Sequence, residues 1–112
     1  MNADMSIMEV DEPLFERTIE KPRVLVEFFA TWCGPCRILD NRLAELSQIE
    51  PNLTIVKVNI EQCKHLTEKY RVVSIPTLIY IEQTDEINRH VGTIDIQGLQ
   101  RLVKPSSINI DK

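Results

Sequence analysis

The feature that most constrains this chain is the pentapeptide Trp32-Cys33-Gly34-Pro35-Cys36, set between two segments of different periodicity. Before it runs Val24-Leu25-Val26-Glu27-Phe28-Phe29, a nearly continuous apolar stretch that reads as a strand covered on both faces. After it, Leu39, Leu43 and Leu46 recur at spacings of four and three, which predicts a helix over Ile38 to Ile49. A strand therefore ends in a short turn, and a helix begins at the two cysteines. Residues three apart on a helix share a face, so the two sulfurs can meet within disulfide range. A helix start also offers unpaired N–H groups and partial positive charge, which favour a thiolate at Cys33. Cys33 is expected to be the more exposed position, with Cys36 one turn deeper. Pro35 is tolerated in a first helical turn, and Gly34 presents no side chain to obstruct an incoming protein. The stretch reads as a redox dithiol.

A Cys-X2-Cys pair also serves as half of a zinc site. Two more ligands would have to come from Cys63, His65 or His90, which show no second paired spacing, so no metal is expected. The 112 residues, 43% hydrophobic and 27% charged, suit one soluble domain over 1–112, with a core at about 7–104 and flexible ends at 1–5 and 106–112. A net charge of -4 and the lack of any basic run argue against a nucleic-acid or anionic-membrane partner. Three cysteines, two of them in one motif, do not make a secreted disulfide scaffold. Met1 to Ser6 lacks a basic and an apolar region of signal-peptide type, and no window is apolar enough to span a bilayer. A monomer in the reducing cytoplasm is the expectation.

Taken in order, Ile7, Met8 and Val10 allow a short first strand. Asp11-Glu12-Pro13 then opens a helix striped by Leu14, Phe15, Thr18 and Ile19, which Lys21-Pro22 ends. Strands follow over Arg23 to Phe29 and Leu53 to Ile60, joined through the helix after the cysteines, which implies a parallel pair. A short helix covers Cys63 to Tyr70, and a strand runs from Thr77 to Glu82. A polar turn at Gln83-Thr84-Asp85 leads to an antiparallel edge strand, Ile87 to Val91. Asp95 is placed to cap a last helix whose buried side is Ile96, Leu99, Leu102 and Val103, with Pro105 closing it. This order predicts a three-layer α/β/α sandwich around a central mixed sheet.

Glu27 and Lys57 are each the one charged residue in an otherwise apolar strand, and those strands should be neighbours. Leu25, Glu27 and Phe29 share a face by period two. Buried charges must pair or shift their titration, so Glu27 is read as the acceptor of the Cys36 thiol proton through water, tuned by Lys57. The alternative is a plain structural ion pair, or a glutamate long enough to reach solvent. Trp32 reads as a wall of a substrate groove or as a half-exposed packing aromatic. Cys63 reads as a small semi-buried residue or a reactive thiol, and His65 and His90 as surface residues. Glu45, Glu50, Glu61 and Glu68 read as solvated helix faces.

Together, Trp32-Cys33-Gly34-Pro35-Cys36, its flanking strand, Lys57, Ile75-Pro76-Thr77 and Val91-Gly92 resemble the thioredoxin family over Ile7 to Val103. The resemblance implies the thioredoxin-like fold and a cytosolic protein-disulfide reductase working through a reversible Cys33–Cys36 disulfide. No bound cofactor is implied. Reducing equivalents would come from NADPH through a thioredoxin reductase, and the other partners would be disulfide-containing client proteins. It further implies a cis Pro76 beside the dithiol, the Ile75 backbone free to pair with an extended client strand, and a binding groove formed by Trp32, Gly34, Pro35, Ile75, Pro76 and Gly92. The chain departs from the family pattern in several places. Glu27 stands where an aspartate is usual, Asn41 replaces the helix-kinking proline, Phe29 replaces a second tryptophan and Ser74 a glycine. The 83–85 turn has no glycine.

Overall fold

In the computed structural model, residues 7–106 are described, and the terminal segments 1–6 and 107–112 lie outside them. The elements are β1 (Ile7–Glu9), α1 (Glu12–Thr18), β2 (Val24–Phe29), α2 (Gly34–Ile49), β3 (Thr54–Asn59), α3 (Lys64–Lys69), β4 (Thr77–Glu82), β5 (Asp85–Val91) and α4 (Ile96–Leu102). Local chemistry sets the helix starts. Asp11 caps α1 by accepting from the Leu14 amide at 3.0 Å, and Asp95 caps α4 by accepting from the Gly98 amide at 2.8 Å.

The five strands lie in the order β1-β3-β2-β4-β5. β3 runs parallel to both β1 and β2, whereas β4 is antiparallel to β2 and β5. Every residue of the central strand β2 is buried, as expected for a strand covered on both sides. Its period-two alternation divides the core. Val24, Val26 and Phe28 pack with Phe15 of α1 and Leu66 of α3. Leu25 faces the other way, onto Leu39, Leu43 and Leu46 of α2 and Leu99 and Leu102 of α4. The result is the three-layer α/β/α sandwich, with Glu27 committed by its register to the α2 side.

Several element ends shift by one residue from the sequence reading, and two places differ more. The β4–β5 turn shortens to Gln83 and Thr84, both at positive φ (49° and 74°), and β5 starts at Asp85 because Asp85 pairs with Glu82. Ser106, placed in the flexible end, donates its amide to Glu82 at 2.8 Å. The α2 helix runs unbroken through Asn41.

Candidate redox site

The site forms where the carboxyl end of β2 meets the start of α2. Ala30 accepts from the Cys33 amide at 3.1 Å, closing the turn that follows the strand. Cys33 is the N-cap of α2, with extended backbone, and its Sγ accepts from the Cys36 amide at 3.2 Å. A helix-terminal N–H is thus aimed at the sulfur expected to act as the thiolate. Cys33 and Cys36 are joined as a disulfide, with Cα atoms 5.3 Å apart.

One expectation is corrected here. Cys33 is no more exposed than its partner: the two are 4% and 3% exposed. The reason is that the Cys33 side chain turns inward to Cys36 and packs with Phe29, Ala30, Ile60 and Ile75. The rim above stays open. Trp32 is 64% exposed, Gly34 and Pro35 are exposed, and nothing lies within 4 Å of where a Gly34 Cβ would be.

Beside this rim a cleft of about 380 Å³ is lined by Trp32, Ile60, Val72, Val73, Ser74 and Ile75. Val73 on its edge is 93% exposed. The Ile75–Pro76 peptide is cis, and the Pro76 carbonyl accepts from the Gly92 amide at 2.8 Å. Gly92 has φ +97°, a conformation that an L side chain rarely adopts, which explains glycine at that place. The structure thus brings Ile75 against the dithiol cysteines and Gly92 against Pro76.

In the sheet, Glu27 and Lys57 are register partners on β2 and β3. Glu27 is 0% exposed, and neither of its oxygens has a hydrogen-bond partner among the described residues. Lys57 does not bond to it. Its Nζ lies 3.0 Å from Asp40 Oδ1 on α2 and 4.4 Å from the centroid of the Phe29 ring. Burial pushes the Glu27 carboxyl up to about 8, opposed by the positive charge of Lys57 and reinforced by the negative charge of Asp40.

Sequence reasoning missed two carboxylates here. Asp40 is four residues after Cys36, hence on the same side of α2, a spacing that could have flagged it. Glu61, read as a solvated helix face, lies in the turn after β3 and accepts from the Trp32 indole at 2.8 Å. That contact joins segments 29 residues apart and left no local signal. Cys63 is buried, with its Sγ–H directed to the Val10 carbonyl at 3.9 Å. Burial pushes this thiol up, helped by Glu12, Asp11 and Glu9. The two histidines engage elsewhere: exposed His65 lies 3.4 Å from Glu12, and His90 lies 3.0 Å from the Thr93 carbonyl.

The family model described as Thioredoxin matches residues 6–105. The chain belongs to the thioredoxin family. It is 33% identical to the thioredoxin of Echinococcus granulosus over 108 residues, covering 96% of this chain and 100% of the relative. It is 44% identical to the thioredoxin of Chlamydia pneumoniae over 89 residues, covering 80% and 87%. Among solved structures, Plasmodium falciparum thioredoxin superposes with a TM-score of 0.79 at 26% identity, covering 86% of this chain and 95% of the other. Mitochondrial thioredoxin 3 of Saccharomyces cerevisiae, in its oxidized form, gives 0.81 at 23% identity over 91% and 97%, a likeness of fold. As a member of the thioredoxin family, the chain is a dithiol-disulfide oxidoreductase that reduces protein disulfides through reversible Cys33–Cys36 disulfide formation.

Proposed function

We propose that Cys33 is the nucleophile and Cys36 the resolving thiol of a cytoplasmic, monomeric reductase of client-protein disulfides, comprising one domain over 1–112. The observation that carries these roles is the Cys36 amide directed at Cys33 Sγ across the start of α2. In the reduced protein the same N–H would stabilise a thiolate at Cys33. That thiolate attacks one sulfur of the client disulfide, forming a mixed disulfide and releasing the other client sulfur as a thiolate. Cys36 then attacks Cys33, the Cys33–client bond breaks, and the client leaves with both sulfurs reduced. Glu27 accepts the Cys36 proton through water, and Lys57 tunes its basicity. Trp32, Gly34, Pro35, Ile75, Pro76 and Gly92 form the client groove, in which the Ile75 backbone pairs with an extended client segment. Reducing equivalents reach the disulfide from NADPH through a thioredoxin reductase, with no cofactor bound to the chain.

Reduction of insulin by dithiothreitol tests the roles. Cys33→Ser is expected to abolish acceleration over the uncatalysed rate, and Cys36→Ser to accumulate a mixed disulfide with insulin. A Cys33→Ser variant as active as the native protein would overturn the assignment.

A further inference from the structure

Three charges lie on the α2 side of the sheet: Glu27 on β2, Lys57 beside it on β3, and Asp40 on α2. A lysine adjacent in register to a buried carboxylate would ordinarily neutralise it and leave it a weak base. Here the Lys57 charge still opposes the upward shift of Glu27, but it is shared: Asp40 holds the ammonium at 3.0 Å and the Phe29 ring covers it at 4.4 Å. Both Glu27 oxygens are left without a hydrogen-bond partner among the described residues. Asp40 and Lys57 also line a cleft of about 440 Å³ together with Arg37, Asn41 and Ile7.

We infer that Asp40 is a positioning residue for proton transfer, holding the Lys57 ammonium toward α2 so that Glu27 keeps a high affinity for the Cys36 proton. This rests on the reading of Glu27 as proton acceptor. The step balances as follows. The Cys36 S–H proton passes through water to a Glu27 oxygen as the Cys36 sulfur forms its bond to Cys33. The Cys33–client bond breaks, its electron pair leaves on the client sulfur, and a proton completes the client thiol. Two effects of Asp40 act in the same direction on Glu27: it takes up the neighbouring positive charge and adds a negative one. The raised proton affinity of Glu27, to which the Asp40 charge contributes, agrees with this. Among the described residues, Lys57 and Asp40 are the charges that act on Glu27. At this register β4 supplies Leu78, and His90 beyond it on β5 is engaged with the Thr93 carbonyl. Arg37, the other charge on the cleft, donates to the Thr31 carbonyl.

The test is the titration of the Glu27 side-chain carboxyl followed by carbon-13 NMR in the reduced protein, with folding checked in the same spectra. Asp40→Asn is expected to lower the midpoint by about one pH unit, as an unshared lysine does to a nearby carboxylate. Asp40→Glu should restore it. Asp40→Ala, which needs no helix hydrogen bond, should repeat the fall if Asp40→Asn folds poorly. The rate at which the mixed disulfide resolves should shift along the pH axis with the same midpoint. An unchanged or raised midpoint in the Asn and Ala variants overturns the inference. The underlying reading fails differently: if Glu27→Gln leaves the pH profile of resolution unaltered, Glu27 is not the acceptor, whatever Asp40 does to its titration.

Discussion

Glu27 has no exposed surface and, among the described residues, no hydrogen-bond partner for either oxygen, so desolvation of its ionised form outweighs the opposing charge of Lys57. Its carboxyl titrates at about 8 in the fold and near 4.5 in the open chain. Between those values the folded protein binds the extra proton, so the stability that this group contributes is full below pH 4.5 and is lost as pH rises through 8. Urea unfolding at pH 5 and pH 9 should show the native protein losing roughly 2–5 kcal/mol more than Glu27→Gln over that interval. Equal losses would mean that the carboxyl titrates normally. In turnover, Glu27→Gln should slow client release by roughly 100-fold or more, the scale of a lost general base, while mixed-disulfide formation continues. Stopped-flow separation of the two steps measures this.

At the scale of elements, the β4–β5 hairpin turns on Gln83 and Thr84, both left-handed although neither is glycine or asparagine. Two-residue hairpin turns of this pattern favour Asn-Gly, and a β-branched residue at positive φ is strained by about 1–2 kcal/mol. Thr84→Gly should therefore stabilise the fold by about 1 kcal/mol once the larger unfolded-chain entropy of glycine is subtracted, measured by urea denaturation. The backbone bond from the Thr84 amide to the Ile19 carbonyl at 2.9 Å would survive the change. Helix α2 behaves in the opposite sense. Leu39, Leu43 and Leu46 are fully buried against the sheet, and α2 carries the cysteines at its start. Leu43→Ala should cost about 2–5 kcal/mol, read as a fall in the urea midpoint.

Across the whole molecule, Arg23 joins parts that are far apart in the chain. Its guanidinium donates to Tyr80 on β4 at 3.0 Å, to Glu50 after α2 at 3.1 Å and to the Val103 carbonyl after α4 at 2.6 Å. Tyr80 in turn donates to Glu82, which accepts from the Ser106 amide. Arg23→Met keeps the apolar stem but strands these acceptors, so a loss of about 2–4 kcal/mol is expected in thermal or urea unfolding. Hydrogen exchange in α4 should accelerate more than in β2, because α4 is the layer that the guanidinium ties down. None of this was legible locally, since Arg23 reads in sequence as a charge at the mouth of a strand.

What the sequence determined by itself are the features that neighbours decide: the apolar run of β2, the leucine spacing of α2, the caps at Asp11 and Asp95, and two thiols three residues apart at a helix start. Each follows from backbone periodicity or from a side chain reaching its own segment, so order along the chain suffices. Tertiary structure decided the rest. It buried Cys33 as deeply as Cys36, gave the Trp32 indole to Glu61, and drew Lys57 to Asp40 instead of Glu27. Those outcomes depend on competition among charges and surfaces brought together from distant segments, where the nearest partner in space prevails over the obvious partner in sequence.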